Sequence, residues 1–292
     1  MPAITEGYIT TGDGVRLFYQ QAGNGPGAVI IPNAIYMLDD FLRLAASYTV
    51  IFFDTRNRGR SETLTDPALV VNGIHNDVDD LETIRAHFGF DKVAVLGHSY
   101  LAAMVVLYAM KYPAQVSRAV QISPPPPFFS RQYETAPPDP VVAGRLAALQ
   151  SERASTDPIE FCRKFWSIAR LMFVANPENA AKLTNWGYCD VDNERNLMAY
   201  LVGSIFPSFH VLNLTAEDFG RVQMPVLTIH GTVDCSAPYA GGKEWASLLP
   251  NARLMTVDET GHVPWVEASE VFPAIETFLN GAWPDSALRV AQ

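Results

Sequence analysis

The sequence predicts an α/β fold, in which helices flank a mostly parallel central sheet and a helical insertion interrupts the chain. Short apolar runs rich in Val, Ile and Phe alternate with segments whose apolar residues recur every three or four positions, the pattern of buried parallel strands joined by helices. After the proline run Pro124 to Pro127 the alternation stops, and it resumes near residue 225. The 292 residues therefore suit one large domain that carries an insertion.

The first predicted strands form a hairpin that leads into the parallel part of the sheet. They face each other across Gly12-Asp13-Gly14, whose residue types favour a tight turn. The strands over residues 28–31, 49–53 and 93–96 are continuous apolar runs, as expected where both faces of a sheet are covered. The predicted strands cover residues 7–11, 15–21, 28–31, 49–53, 93–96 and 116–122, and the predicted helices cover residues 38–46, 77–88 and 101–112.

The insertion differs in character from the rest of the chain, because we expect it to be helical, with scattered prolines and many aromatic side chains. Those aromatic residues are Phe161, Phe165, Trp166, Phe173, Trp186, Tyr188, Phe206 and Phe209. Strands over residues 225–230 and 253–257 and helices over residues 243–249 and 267–279 then complete the sheet. The predicted division is a core of residues 1–123 and 221–292 with a helical cap insertion of residues 124–220.

Composition excludes several classes of partner. The chain has 31 acidic residues against 21 Lys and Arg, a formal net charge of −10, and its basic residues form no stripe that could follow a phosphate backbone. The longest apolar run, residues 101–110, is too short to span a bilayer. The opening MPAITEG lacks the basic and apolar regions of a signal peptide. We therefore expect a cytoplasmic protein that acts on a small molecule and binds neither nucleic acid nor membrane.

The cysteines and histidines predict neither a disulfide framework nor a metal site. Cys162, Cys189 and Cys235 show no C-x-x-C spacing. His75 lies close to two aspartates, but no second histidine stands at ligand spacing. No metal or other cofactor is expected.

Ser99 stands where a predicted strand runs directly into a predicted helix. An elbow of this kind lifts the serine hydroxyl out of the sheet and points the N-terminus of the helix at it. Gly97 lies two residues before the serine, where the crowded backbone requires a small residue, whereas Leu101 occupies the position of the second glycine in G-x-S-x-G. Ser99 is therefore the candidate nucleophile.

A serine hydroxyl needs a base to accept its proton, and a third group to orient that base. His262 follows the last predicted strand in a Gly-His-Val-Pro loop, and Asp234 follows the strand over residues 225–230. Open parallel sheets build their sites at such strand ends. The order Ser99, Asp234, His262 is that of α/β-hydrolases and differs from the orders of chymotrypsin and subtilisin. The three residues together predict a catalytic triad.

The chain resembles the α/β-hydrolase superfamily, in the branch that holds small esterases, lactonases and prolyl iminopeptidase-like enzymes. Five segments carry the resemblance along nearly the whole chain: residues 29–34 for the third strand and its oxyanion loop, 53–61 for the D-x-R-G-x-G-x-S turn, 97–101 for the elbow, 229–238 for the H-G-x-x-D-x-x-x-P acid loop, and 261–267 for G-H-x-P-x-x-E. Two departures are Pro32-Asn33 in place of His-Gly, and Leu101 in place of a small residue. Within the turn, Asp54 and Arg56 are expected to form a structural ion pair.

The resemblance implies that the backbone N–H groups of Ala34 and Tyr100 form the oxyanion hole. The assignment of Tyr100 also follows from physics, because the first N–H groups of a helix have no partner within it. Asn33, one residue earlier, is the alternative to Ala34. His98 and His230 are expected to serve packing rather than catalysis.

These features predict a serine hydrolase that cleaves a carboxylic ester, thioester or lactone through an acyl-enzyme, with uncharged apolar substrates preferred to anionic ones. A prolyl iminopeptidase-like aminopeptidase is the alternative; it would need acidic groups for a substrate ammonium, and Asp190, Asp192 and Glu194 are the candidates. A non-catalytic ligand-sensing protein on the same fold is an alternative of another class.

Overall fold

A nine-stranded sheet forms the centre of the computed structural model, which describes residues 2–183 and 188–291. The order of the strands across the sheet is β1-β2-β4-β3-β5-β6-β7-β8-β9. The strands are β1 Ile4–Thr10, β2 Arg16–Ala22, β3 Ala28–Pro32, β4 Thr49–Phe53, β5 Val93–His98, β6 Val116–Ile122, β7 Val226–Gly231, β8 Ala252–Val257 and β9 Ala287–Leu288.

The sheet is parallel in its centre and antiparallel at its edges. Strands β3 to β8 pair in parallel, whereas β1 with β2, β2 with β4, and β8 with β9 pair antiparallel. Strands β3, β4, β5 and β7 are buried along their whole length, because helices cover both faces of the sheet. Strands β6 and β8 each carry one exposed residue. The predicted α/β-hydrolase fold, with its mostly parallel sheet flanked by helices, is confirmed.

The helices follow most of the predicted crossovers. They are α1 Ala34–Phe41, α2 Ile74–His87, α3 Tyr100–Lys111, α4 Pro140–Glu152, α5 Pro158–Ala169, α6 Asp192–Arg195, α7 Leu197–Tyr200, α8 Phe206–His210, α9 Ala216–Arg221, α10 Tyr239–Leu248, α11 Pro264–Glu267 and α12 Val271–Leu279. Short 3₁₀ turns lie at Leu42–Ala46, Pro67–Leu69, Pro113–Gln115, Arg170–Met172 and Pro177–Lys182, and a π-helical turn lies at Leu201–Ile205.

Two layers of apolar side chains enclose the sheet. On one face α2, α3 and α10 pack against alternate residues of the strands, with Trp245 as the largest buried side chain. On the other face α1, α11 and α12 pack, and Phe41 and Phe278 are fully buried there. This arrangement holds the strand ends rigidly, which matters because the candidate site lies on them.

Several predicted helices differ from the structure in their bounds. Helix α2 begins at Ile74 rather than at residue 77, and α10 begins at Tyr239 rather than at residue 243. The helix predicted over residues 38–46 is α1 followed by the 3₁₀ turn Leu42–Ala46, so the α-helix begins earlier, at Ala34. The helix predicted over residues 267–279 divides into α11 and α12, since the chain extends at Ala268. The two-residue strand β9 is too short to leave a recognisable pattern and was not predicted.

The segment between β6 and β7 carries α4 to α9 and contains a disulfide between Cys162 and Cys189. The prediction that the cysteines form no disulfide is therefore wrong, because residues 27 positions apart come together when α5 packs beside the chain that precedes α6. Cys235 is free. Trp186, one of the aromatic residues predicted for this segment, lies outside the described residues. No helix among residues 2–183 and 188–291 is long and apolar enough to cross a membrane.

Candidate active site

Ser99 occupies a strained elbow between β5 and α3. Its backbone has φ 58° and ψ −133°, a conformation that non-glycine residues adopt rarely and chiefly at functional sites. The Ser99 N–H donates to the carbonyl of Ile122 at the end of β6, at 3.0 Å. A Cβ on Gly97 would lie 2.1 Å from the carbonyl oxygen of Leu101, so the turn admits only glycine at that position. The Leu101 side chain points away from this contact into the core.

His262 and Asp234 are joined by a short hydrogen bond. The His262 Nδ1 lies 2.7 Å from Asp234 Oδ2, and both residues are buried. The other carboxylate oxygen accepts the N–H groups of Ser236 and Ala237 at 2.8 and 2.9 Å. Burial alone would raise the pKa of Asp234, but His262 and His230 beside it outweigh burial and hold that pKa far below its ordinary value. Asp234 is therefore a fixed negative charge that orients the imidazole.

Two further buried histidines support this pair. His230 Nε2 lies 3.3 Å from Asp234 Oδ2 and 3.1 Å from the carbonyl oxygen of Ala237. His98 Nε2 lies 2.9 Å from the carbonyl oxygen of His262. Burial and the neighbouring His262 hold the pKa of His98 well below its ordinary value, so His98 is neutral and can donate to that carbonyl. Both histidines thus hold the acid and base loops in place, which agrees with the structural role predicted for them.

Glu267 fastens the loop that carries His262. Its carboxylate accepts the backbone N–H groups of Gly261, Ala175 and Asn176 at 2.7 to 3.1 Å. The Val263 N–H donates to the carbonyl of Phe173, whose ring centroid lies 5.5 Å from that of His262. The segment between β6 and β7 therefore borders the imidazole directly.

The three predicted triad residues follow three strands of the parallel sheet at the same edge. Ser99 follows β5, Asp234 follows β7 and His262 follows β8. In the sheet, β5 and β7 lie on either side of β6, and β8 lies next to β7. The His98 and His262 rings, whose centroids are 4.6 Å apart, bring the loops after β5 and β8 into contact. Within the described ranges, no group of three or more His, Cys, Asp or Glu side chains could hold a metal ion.

Three successive N–H groups after β3 have different partners. Asn33, with φ 74°, donates its N–H to the carbonyl of Phe53 at 2.7 Å, and Ile35 donates to Asp54 Oδ1 at 3.0 Å. The N–H of Ala34 between them has no hydrogen-bond partner among the residues that the structure describes. The same holds, within those residues, for the N–H of Tyr100, the first residue of α3. Of the two candidates in the β3 loop, only Ala34 thus has a free donor.

The turn after β4 differs from the prediction for Asp54 and Arg56. Arg56 forms its ion pairs with Asp80, at 2.6 Å, and with Asp13, at 2.9 Å. Asp54 instead accepts the N–H groups of Ile35 and Arg60. The expected pairing of Asp54 with Arg56 is wrong because the side chain of Arg56 extends towards α2, where Asp80 is buried.

Arg58, for which the sequence predicts no role, contacts the residue that follows Ser99. Its guanidinium donates to Glu194 of α6, with Nε 3.1 Å from Oε1 and Nη2 3.4 Å from Oε2. Nη1 donates to the Tyr100 hydroxyl at 2.8 Å, and Nη2 to Asn33 Oδ1 at 3.2 Å. Burial opposes the charge of Arg58, but Glu194 outweighs burial and holds the pKa of Arg58 well above its ordinary value.

Glu194 belongs to the same network. Besides Arg58, it accepts the Gly59 N–H at 2.7 Å and the Tyr36 hydroxyl at 2.6 Å. The other two acidic residues considered for a substrate ammonium are exposed and paired, Asp190 with Arg163 and Asp192 with Arg195. The sequence gives little sign of the network between Arg58 and Glu194. Arg58 stands at a variable position of the D-x-R-G-x-G-x-S turn, and Glu194 lies 136 positions further along the chain.

A cavity of about 290 Å³ opens between α4, α5 and the chain around α6 and α7. Its wall combines apolar side chains, such as those of Phe165 and Met198, with polar and charged ones, among them Gln150, Arg153, Glu194 and Arg195. Trp166 in that wall stacks on Phe173 at 6.3 Å and lies 6.1 Å from Tyr36, measured between ring centroids. Because Phe173 also borders His262, one row of aromatic rings connects the cavity with the imidazole.

The sequence and fold are similar to those of known proteins. The model of the alpha/beta hydrolase fold family matches residues 31–268. A bifunctional esterase/perhydrolase of Acinetobacter calcoaceticus is 25% identical, over 94% of this chain and 99% of that protein. A proline iminopeptidase of Heyndrickxia coagulans is 26% identical, over 94% and 99%. The crystal structure of 2-hydroxy-6-oxo-6-phenylhexa-2,4-dienoate hydrolase from a Rhodococcus species has a TM-score of 0.73 and 18% identity, over 97% and 100%.

Proposed function

Because the chain belongs to the α/β-hydrolase fold family, we propose that it is a serine hydrolase acting on carboxylic esters, thioesters or lactones. The observation that carries the proposal is the buried hydrogen bond between His262 and Asp234, on the sheet edge where Ser99 occupies a strained elbow. A fixed carboxylate, an oriented imidazole and a half-buried serine at a helix N-terminus are the parts that acyl transfer needs.

In the proposed mechanism Ser99 Oγ attacks the substrate carbonyl while His262 Nε2 takes the hydroxyl proton. Asp234 keeps the proton of the neutral imidazole on Nδ1 and stabilises the imidazolium that forms. His262 then donates its proton to the leaving alcohol or thiol, and the acyl group stays on Ser99. A water molecule, deprotonated by His262, attacks the acyl-enzyme, and the imidazolium returns that proton to Ser99 Oγ as the bond to the acyl group breaks and the carboxylic acid leaves.

The oxyanion of each tetrahedral intermediate would be bound by the N–H groups of Ala34 and Tyr100. The free donor of Ala34, beside neighbours whose N–H groups are occupied, supports its assignment over Asn33. Tyr100 adds the partial positive charge of the N-terminus of α3.

We place the substrate beneath a cap formed by residues 124–220. Phe173 borders His262, and the row of rings from Phe173 to Trp166 leads to the apolar wall of the cavity. The apolar side chains of that lining favour burial of an apolar acyl or alcohol group of an ester, thioester or lactone. The preference for uncharged substrates rests on the net charge of −10, since the same lining also holds Arg153 and Arg195 beside Glu194.

The acidic residues of the cap argue against the iminopeptidase alternative. Glu194 is buried and neutralised by Arg58, while Asp190 and Asp192 are exposed and each paired with an arginine. A substrate ammonium at Glu194 would have to displace the buried Arg58 and leave its charge unpaired, which is costly. The exposed Asp190 and Asp192 lie on the surface, where an ammonium gains little from them.

A labelling experiment tests the proposal. A fluorophosphonate should label Ser99, and Ser99→Ala should abolish both labelling and ester hydrolysis. Ser123→Ala is a matched control, because Ser123 also has a positive φ, of 50°, at the end of the neighbouring strand β6. The control should keep both activities. Undiminished turnover by Ser99→Ala would overturn the proposal.

Substrate panels separate the alternatives. A series of neutral aryl esters and lactones should be hydrolysed with higher kcat/KM than a proline arylamide. The reverse order would establish the iminopeptidase instead, and a protein that binds these compounds without labelling or turnover would be a sensor.

A further inference from the structure

Arg58 lies between the two loops that would hold the oxyanion. Asn33, whose side chain it contacts, directly precedes Ala34, and Tyr100, whose hydroxyl it contacts, carries the second amide on its own backbone. The guanidinium also lies over the rings of Tyr36 and Tyr100, at 5.6 and 5.9 Å from their centroids. One buried side chain thus contacts residues of both the β3 loop and the elbow.

A carboxylate of the helical segment between β6 and β7 neutralises the charge of Arg58. Glu194 of α6 is 2% exposed, as is Arg58, and its carboxylate also accepts the Gly59 N–H and the Tyr36 hydroxyl. A buried ion pair adds little net stability against apolar residues of the same volume, because desolvation offsets the attraction. What the pair does provide is geometry, since a guanidinium bound on three sides has one orientation.

We propose that Arg58 and Glu194 are a positioning pair through which the helical segment sets the spacing of the Ala34 and Tyr100 amides. The inference rests on the proposed function above. Oxyanion donors act only when they lie about 2.7 to 3.1 Å from the developing charge, so a shift of a fraction of an ångström in either loop reduces transition-state binding. Ground-state substrate binding, which depends on the cap wall, is affected far less.

Arg58→Lys tests the pair with its charge preserved. A lysine ammonium is a point donor and cannot bind Glu194, Tyr100 and Asn33 with the geometry of the guanidinium fork. We expect kcat to fall about 10- to 100-fold, a decrease no larger than that caused by the loss of one oxyanion donor. KM should change by less than about twofold. Tyr100→Phe removes the hydroxyl contact but keeps the backbone N–H, and should lower kcat in the same manner by a smaller factor.

Arg56→Lys is the matched control. Arg56 lies in the same turn, is equally buried and is paired with a buried carboxylate, but it contacts neither loop of the proposed oxyanion hole. Its replacement should lower Tm about as much as Arg58→Lys does and leave kcat of the folded enzyme unchanged. Glu194→Gln, which leaves Arg58 in place without its counter-charge, should reproduce the kcat effect of Arg58→Lys.

The decisive readout is binding of a trifluoromethyl ketone, which forms a tetrahedral oxyanion on the serine. Its inhibition constant should weaken in Arg58→Lys by the same factor as kcat, whereas a non-reactive alcohol analogue should bind as in the wild type. Equal kcat for Arg58→Lys and Arg56→Lys, or unchanged affinity for the ketone, would refute the positioning role. If Ser99→Ala remains active, the proposed function itself fails, so the two failures are distinct.

Discussion

The carboxylate of Asp234 contacts more groups of the candidate site than a single hydrogen bond to His262 would require. Its two oxygens have four partners, the N–H groups of Ser236 and Ala237 on one side and the rings of His262 and His230 on the other. A carboxylate held in this way has one orientation and stays ionised. Its role in catalysis would therefore be the alignment of His262.

Asp234→Asn should lower kcat by about four orders of magnitude while the protein stays folded. An amide in this position favours the wrong tautomer of His262, so that the nitrogen facing Ser99 carries a proton and cannot accept one. Stopped-flow or steady-state hydrolysis of a neutral aryl ester, with circular dichroism as the folding control, measures this. A variant that keeps wild-type kcat would show that another group orients the imidazole.

Asp54 should give stability a pH dependence that Asp54→Asn lacks. Burial raises the pKa of Asp54 to about 6 in the folded protein, against about 3.9 in an unfolded chain. Between these values the folded state holds more protons, so stability falls as pH rises from about 4 to 6, by up to roughly 3 kcal/mol, and changes no further above that range. Urea unfolding of both proteins at pH 4.5, 5.5 and 7.5 tests this. The free energy of unfolding of the wild type, relative to that of Asp54→Asn, should fall as pH rises. A difference independent of pH would contradict the expectation.

At this scale the sequence was informative for some residues and silent for others. Ser99, Asp234 and His262 could be singled out because Ser99 directly follows a buried strand and the other two lie in the loops that follow strands, and strand ends meet at one edge of a parallel sheet. The contact between Arg58 and Glu194, and the bond between Cys162 and Cys189, depend on how helices of the segment after β6 fold back. No local periodicity encodes such contacts.

Among the elements, the strands were predicted best and the helices between β6 and β7 least. β4 and β6 have the predicted bounds. For β4 the reason is a continuous run of β-branched and aromatic residues that ends before Asp54. The helices after β6 are short and interrupted by 3₁₀ and π turns, so their apolar residues follow no single period. Packing against the core, rather than helical propensity, decides where they begin and end.

The disulfide should stabilise the part of the segment between β6 and β7 that carries α6. It closes a ring of about 27 residues, for which the loss of chain entropy in the unfolded state amounts to about 3 to 4 kcal/mol. Cys162→Ser, or reduction of the wild type, should therefore lower Tm and increase proteolysis between α5 and α6. Cys235→Ser is the control, since that cysteine is free. Equal Tm for the oxidised and reduced wild type would mean that the bond constrains nothing.

The charge of the whole molecule should influence which esters reach the site. With a net charge of −10, the protein repels anionic substrates at low ionic strength, and the repulsion is screened as salt rises. For an aryl acetate and the matched aryl hemisuccinate, kcat/KM should favour the neutral ester at about 10 mM salt. The preference should shrink several-fold at about 0.5 M. A preference for the hemisuccinate at low salt would reveal a local cationic site that outweighs the overall charge.

The long excursion between β6 and β7 also matters during biosynthesis. The ribosome delivers Ser99 and all of β6, which ends at Ile122, long before it delivers Val226 at the start of β7. Throughout that interval one side of β6 lacks its neighbouring strand, and Ser99 lacks Asp234 and His262, its partners in the proposed triad. An open strand edge recruits other chains, and closing a loop of this length is slow. We therefore expect the nascent chain to be inactive and to associate with other chains through the open edge of β6.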